Sequence, residues 1–126
     1  MITTGVRLIM GKITTHVLDT ANGKPGAGIA VTLWRWEATD RHQVTSTLTN
    51  ADGRCDAPLL DGERMQPGRY ELVFAAGDYF RALGTPLPEP PFVDEVVLRF
   101  GIAHAEQHYH VPLLVSPWSY STYRGS

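Results

Sequence analysis

Two histidines separated by one residue are the first candidates for chemistry in this chain. His108 and His110 lie in the strand-forming run HYHVPLLV, and because side chains alternate across a strand, both point to one face and Tyr109 to the other. Such a pair is able to bind zinc with help from His42 or His104, but no cysteine or acidic residue stands at ligand spacing, and we expect no metal. Imidazole also exchanges protons near neutral pH, so the pair is suited to acid–base catalysis.

A third histidine and one arginine are candidates with common structural alternatives. His16 lies in the run KITTHVLD on the face of Thr14 and Leu18, where a partly buried strand histidine is the more frequent role. Arg54 follows the tight-turn sequence at 50–53, NADG. It is either a solvent-exposed arginine at the start of a strand, or the turn directs its planar guanidinium towards an anionic or carbonyl-rich ligand.

The C-terminal segment 110–126 is built like a strand pair rather than a tail. Two runs that favour strands flank Ser116-Pro117, a turn signal, and so predict a hairpin. Tyr123, Arg124 and a terminal carboxylate on Ser126 are hard to explain by core packing. A solvent-exposed terminus and a part of a functional site both remain open at this point.

Composition excludes several classes of protein. The 126 residues are 43% hydrophobic, which indicates one globular domain, with residues 1–10 as a flexible extension. A net charge of −2 with only two lysines argues against nucleic-acid binding. No run approaches the ~20 apolar residues of a membrane span, and the N-terminus lacks a signal-peptide core. The single Cys55 excludes an internal disulfide, so we expect a cytoplasmic protein.

The elements that must position these residues are mainly strands. Glycines and prolines divide short runs rich in β-branched and aromatic residues, which predicts an all-β sandwich. In 68–76, Tyr70, Leu72, Phe74 and Ala76 share one face, which should lie on the core, whereas Arg69, Glu71 and Val73 share the other face. We predict one helix at 78–84 with Asp78 as its N-cap, and a proline-rich loop at 85–91. The strands are predicted at 12–19, 28–36, 42–49, 54–58, 68–76, 93–101, 106–116 and 118–124.

Three segments together resemble one known family. THVLDTANGKPGAGIAVTLWR, TNADGR and HYHVPLLVSPWSYSTYRGS are similar to the 5-hydroxyisourate hydrolases, the enzyme branch of the transthyretin family. The resemblance covers nearly the whole chain. Transthyretin carriers share the hairpin but lack the enzyme's histidines, the turn arginine and the terminal Tyr-Arg-Gly-Ser. Departures are confined to Trp118 and Ser119, where relatives often carry Tyr and Gly.

The resemblance implies a transthyretin-like sandwich of two four-stranded sheets with one short helix. It also implies a homotetramer, a dimer of dimers, with 106–116 and 118–124 at the interfaces and active sites in the channel where dimers meet. The implied reaction is cofactor-free hydrolysis of the small molecule 5-hydroxyisourate, with no nucleic-acid or membrane partner. The catalytic residues would be His16, Arg54, His110 and Ser126, and the substrate-binding residues His16, Arg54, Tyr123, Arg124 and Gly125.

The resemblance implies that His16 and His110 together activate the attacking water, and it leaves open which of the two is the base. Arg54 would stabilise the oxyanion, Tyr123 would contact the flat ring, and Ser126 would hold Arg124 and the histidines in place. The main alternative is a small-ligand carrier using the same channel, which polar channel residues argue against. A structural sandwich domain of a surface protein is a further alternative.

Overall fold

The computed structural model describes residues 10–126. Residues 1–9, which make up most of the predicted flexible extension, lie outside the described part. Within that part the chain forms eleven strands and one α-helix. They are β1 Lys12–Thr14, β2 Val17–Asp19, β3 Lys24–Pro25, β4 Ala30–Glu37, β5 Asp40–Leu48, β6 Leu60–Asp61, β7 Gly68–Ala75, α1 Ala76–Ala82, β8 Glu95–Ile102, β9 His108–His110, β10 Leu113–Val115 and β11 Tyr120–Ser121.

One layer of the sandwich is a four-stranded antiparallel sheet in the order β5-β4-β7-β8. Its inward face carries the predicted alternation, since Tyr70, Leu72 and Phe74 are all buried. These side chains pack in one core cluster with residues of the other layer, such as Ile13 and Val115. The predicted all-β sandwich with one short helix is therefore confirmed.

In the second layer, the predicted strands 12–19 and 106–116 run parallel to each other. Each is divided in two, so that β1 pairs with β9 and β2 pairs with β10. Pro112 lies at the division, and it has no N–H to donate to the ladder. Backbone bonds of 2.9 Å from Val111 N to Thr14 O and from Leu113 N to His16 O continue the pairing across it. The edges are completed by β6 beside β1, β11 beside β10, and β3 beside β2.

The helix begins two residues earlier than predicted, and Asp78 is not its N-cap. The cap is Ala75, which makes no side-chain bond, whereas Asp78 lies in the first turn and pairs with Arg81 at 2.8 Å. The earlier start depends on tertiary packing, because Gly77 N donates to Asp94 O at 2.9 Å. The C-terminal prediction is confirmed, since Gly84 has a φ of 79° and its N–H bonds Arg81 O.

Other boundaries also differ. The predicted strand 54–58 is absent from the described part apart from an isolated bridge between His16 and Arg54, and β6 forms a few residues later. The C-terminal hairpin is confirmed, with β10 and β11 antiparallel and the hydroxyl of Ser116 accepting two backbone N–H groups in the turn. The loop at 85–91 is confirmed. None of the helices in residues 10–126 has the length and apolar character of a membrane span.

Candidate active site

A cleft of about 500 Å³ opens beside β1 and β9. It combines chain segments that are far apart in sequence: the first strand, the turn and loop after residue 53, the histidine strand and the last residue. Several of its lining side chains are cationic or titratable. The lining residues are Lys12, Thr14, Thr15, Arg54, Cys55, Asp56, Ala57, Pro58, His108, His110 and Ser126.

One hydroxyl connects the two histidines of β9. Thr14 is the register partner of His110 in the parallel β1–β9 pair, and its side chain lies between the two rings. Its Oγ1 is 2.7 Å from Nε2 of His108 and 2.8 Å from Nδ1 of His110. The ring centroids are 6.1 Å apart, so the imidazoles do not bond each other directly. The prediction that both rings share one face is confirmed, because both line the cleft while Tyr109 is buried in the core.

Both imidazoles are held in the neutral form near pH 7. Burial lowers the pKa of His110, and the charge of Arg54 and the neighbouring His108 and His16 lower it further. Burial also lowers the pKa of His108, with added effects of the cationic Lys12 and of Arg124. A neutral ring keeps a lone pair, so each histidine is able to accept a proton at physiological pH.

His16 is fixed by the turn that carries Arg54. Its Nε2 is 2.8 Å from the carbonyl oxygen of Asp52. Because a carbonyl only accepts hydrogen bonds, Nε2 must be the donor, and in the neutral ring the lone pair is on Nδ1. His16 is not itself among the cleft-lining residues, but it forms a β-bridge with Arg54 and contributes to the electrostatic environment of His110.

The turn before Arg54 is rigid, as its sequence predicts. The side-chain oxygen of Asn50 accepts the N–H groups of Asp52 and Arg54 at 2.9 and 3.2 Å. Gly53 has a φ of 76°, and a Cβ there would lie 2.4 Å from Val17 O, so only glycine fits. None of the ion pairs within residues 10–126 uses Arg54. Arg54 lines the cleft and is exposed, so its side chain is available to a ligand.

The end of the chain packs against His110. Gly125 and His110 form a β-bridge, with N–H···O distances of 2.8 and 3.3 Å. The ring lies so close that a Cβ on Gly125 would be 3.1 Å from its Cδ2 atom. Ser126, the next residue, lines the cleft. The structure thus brings His110, Arg54, Gly125 and Ser126 together, with His16 adjacent.

Tyr123 and Arg124 lie elsewhere in the single chain. They line a second cleft of about 500 Å³ together with residues of β8. The guanidinium of Arg124 lies 4.3 Å from the Tyr109 ring centroid and donates to the carbonyl oxygen of His108 at 3.1 Å. Within residues 10–126 it forms no ion pair with the carboxylate of Ser126, contrary to the expected contact. Substrate contact by Tyr123 and Arg124 remains a prediction.

Comparison with known proteins agrees with the fold. The model of the HIUase/Transthyretin family matches residues 13–125. The chain belongs to this family. A curated relative named 5-hydroxyisourate hydrolase, from Pseudomonas aeruginosa, is 64% identical over 93% of this chain and 93% of its own.

Two solved structures of related proteins have the same fold. One is the structure of Klebsiella pneumoniae 5-hydroxyisourate hydrolase, with a TM-score of 0.76 and 32% identity over 93% of this chain and 100% of that one. Another is the crystal structure of (S)-allantoin synthase, with a TM-score of 0.89 and 47% identity over 93% of this chain. The present chain spans 44% of that protein's chain.

Among the side chains of this family member's cleft that sequence reasoning missed, Lys12 and Thr14 lie beside the histidines. The sequence pattern assigns no site role to either residue: Thr14 is noted only as a neighbour of His16, and Lys12 only as one of the two lysines. The register of the parallel β1–β9 pair places Lys12 beside His108 and Thr14 beside His110, and no local pattern reports that pairing. His108 is recognised by its spacing as a candidate for acid–base chemistry, but it is not among the catalytic residues that the resemblance implies. The possible extra zinc ligand His42 lies on β5, in the other layer.

Proposed function

We propose that this chain hydrolyses the N1–C6 amide bond in the pyrimidine ring of 5-hydroxyisourate, forming 2-oxo-4-hydroxy-4-carboxy-5-ureidoimidazoline in urate breakdown. The observation that carries the proposal is the cleft itself, which brings Arg54 together with His110 and Ser126, the first and last residues of the distant C-terminal segment 110–126. The name of the 64% identical relative supports the choice of substrate. Opening an activated cyclic amide needs water and proton transfer only, so no cofactor is included.

Arg54 is the electrophilic group of this mechanism. Its guanidinium binds the carbonyl-rich edge of the substrate and stabilises the oxyanion that forms when water attacks C6. A well-placed donor of this kind contributes on the order of 3 kcal/mol to the transition state. The Asn50 turn supports this role, because it holds the backbone of Arg54 in one conformation before substrate arrives.

The two histidines have different positions in this mechanism. His110 lines the cleft with one ring nitrogen used by Thr14, so Nε2 remains for the attacking water. His16 donates its Nε2–H to the carbonyl oxygen of Asp52 and is not among the residues that line the cleft. We therefore assign His110 as the primary base and His16 as the group that orients water or substrate. General base catalysis contributes ~10²–10⁴-fold to such reactions.

The terminal tetrapeptide has a supporting role. Arg124 anchors the tail on Tyr109 and on the carbonyl of His108, and this places Gly125 against the His110 ring. Ser126 then closes one side of the cleft. In the proposed assembly, Tyr123 contacts the flat ring of the substrate.

The proposed assembly is a homotetramer, a dimer of dimers, in which segments 106–116 and 118–124 form the interfaces. Large exposed aromatic side chains support it: Phe92 and Trp118 stack with centroids 6.0 Å apart, and Tyr120 and Tyr123 are also exposed. Sedimentation should show a particle of four 13.9 kDa chains. We further propose a cytoplasmic location on the basis of composition.

A direct assay tests the activity. The unstable substrate is generated from urate with urate oxidase, and the decay of its ultraviolet band is followed with and without the purified chain. Faster decay in proportion to enzyme concentration is the expected result. Decay at the spontaneous rate, together with tight binding of a thyroid-hormone-like ligand, would instead support the carrier alternative.

A further inference from the structure

We propose that the Thr14 hydroxyl and His108 form a proton relay behind His110, in which Thr14 sets the tautomer of His110 and His108 receives the proton that the base releases. This inference rests on the proposed hydrolysis, and it adds two residues to that reaction. It is carried by the bridging geometry of one hydroxyl between two rings, at 2.7 and 2.8 Å.

The bridge couples the two rings because of the hydrogen-bonding capacity of a hydroxyl. Thr14 Oγ1 has one proton to donate, so it donates to one imidazole nitrogen and must accept from the other. If it donates to Nε2 of His108, it accepts the Nδ1–H of His110, and the lone pair of His110 is then on Nε2. If it donates to Nδ1 of His110, then Nε2 of His110 is protonated and the ring is not a base. The direction in which the hydroxyl donates its proton thus determines whether Nε2 of His110 carries the lone pair that a base needs.

The free nitrogen of His110 reaches the cleft. Its Nδ1 is bonded to Thr14, and Nε2 has no protein partner within residues 10–126. Every buried side-chain nitrogen and oxygen in that part of the chain has a hydrogen-bond partner. Nε2 is therefore accessible to solvent, in a ring that lines the cleft beside Arg54 and Ser126.

The proton path balances without any further reactant. Nε2 of His110 takes a proton from the attacking water while the new C–O bond forms. The Nδ1 proton of His110 moves to Oγ1 of Thr14, whose own proton moves to Nε2 of His108. His110 is neutral again and His108 carries the positive charge. Return of that proton along the same path to the departing amide nitrogen completes the ring opening and restores the starting tautomers.

The charges around the rings favour moving the proton rather than holding it. His110 is influenced by Arg54 and His16, and His108 is influenced by Lys12 and Arg124. These neighbours disfavour a cation on either ring, while Asp56 is the one acidic side chain among the cleft-lining residues. A proton taken up by the two rings is therefore held on neither of them for long, which favours its return to the departing amide nitrogen.

Thr14→Val tests the relay, because it keeps the branched shape and removes the hydroxyl. We expect kcat to fall by at least about tenfold, a part of the ~10²–10⁴-fold effect of general base catalysis, while KM changes by less than about twofold. Thr14→Ser should restore most of the rate. His108→Gln should cause a similar loss, and the double variant should be no slower than the single ones, as expected for residues acting as one unit. Thr20→Val, which loses a hydroxyl bond to Val115 O outside the cleft, is the matched control.

A second measurement is independent of turnover. In the wild-type protein the ¹⁵N chemical shifts of both imidazoles report the tautomers, and Thr14→Val should change those of His108 and His110 together. If the wild type is active, a normal kcat and unchanged ¹⁵N shifts in Thr14→Val would refute the relay but not the proposed hydrolysis. Equal losses in Thr14→Ser and Thr14→Val would also overturn it, since then the hydroxyl is not the cause. An inactive wild type would refute the proposed hydrolysis itself, and the relay with it.

Discussion

Glu71 is a buried carboxylate on the outer side of the β5-β4-β7-β8 sheet, and its replacement by glutamine should have a large effect on stability. Its side chain is only 2% exposed. It accepts hydrogen bonds from Nε1 of Trp36 at 3.1 Å, from Nε of Arg99 at 2.8 Å and from Arg41. The two guanidinium groups also stack on aromatic rings, Arg41 on Trp34 and Arg99 on Trp36. The Glu71 carboxylate therefore holds Arg41 and Arg99 in place, and their guanidinium groups pack on the indoles of two tryptophans.

Glu71→Gln removes that charge and keeps the shape. Removing one partner of a fully buried ion pair costs about 3–5 kcal/mol. Here the arginine side chains are 41% and 67% exposed, so water solvates them in the variant and the loss is smaller. We expect a decrease of about 2–3 kcal/mol in the free energy of unfolding at pH 7. At about 4 °C per kcal/mol for a domain of this size, the melting temperature should fall by about 8–12 °C.

The pH dependence supplies a second test of the same residue. Burial alone would raise the pKa of the Glu71 carboxyl, but the hydrogen bonds from Trp36, Arg99 and Arg41 outweigh it and lower the pKa below the ordinary value of 4.5. A group with a lowered folded pKa stabilises the protein above its unfolded pKa and loses that effect as the pH falls through the folded value. The difference in the free energy of unfolding between wild type and Glu71→Gln should therefore have its full size at pH 7 and decrease below about pH 4.5.

The assay is thermal or urea unfolding at one fixed protein concentration, since association would shift the midpoint. Glu37→Gln is the matched control, because Glu37 is 65% exposed and pairs with Arg35 at 3.7 Å. It should change stability by less than about 1 kcal/mol. A Glu71→Gln melting temperature within about 2 °C of wild type, or a difference that stays constant down to pH 3, would refute the reasoning.

Three further predictions concern activity. His16→Ala and Arg54→Ala should each lower kcat/KM by about 10²-fold or more without changing the sedimentation of the assembly; a near-native rate would remove that residue from the chemistry. Deleting 123–126 should abolish hydrolysis with a modest loss of stability, because the tail packs on His110, and a chain that fails to fold would show a structural role instead. Because burial and neighbouring charges lower the pKa of His108 and His110, the acidic decline of kcat/KM should have its midpoint below pH 6.5. A midpoint above that value contradicts the neutral-base assignment.

Much of this architecture is readable from local sequence. The alternation of Tyr70, Leu72 and Phe74 depends on the two-residue period of a strand, and the structure buries all three. The turn before Arg54 depends on Asn50 and Gly53, whose roles are intrinsic to those residue types. The common face of His108 and His110 follows from the same period. Each of these features is determined within a few residues, so the sequence alone was sufficient.

The tertiary structure decided what depends on pairing between distant segments. The parallel register of β1 with β9 puts the Thr14 hydroxyl between two rings more than 90 residues away, and no pattern within either strand specifies it. The helix begins before Asp78, where the backbone N–H of Gly77 donates to the carbonyl oxygen of Asp94. The side of the sandwich on which Tyr123 lies was also set by packing, with Arg124 held on Tyr109 and the histidine strand. Local propensity selects strands and turns, whereas contacts across long sequence distances select their register, and the chemistry of this cleft depends on register.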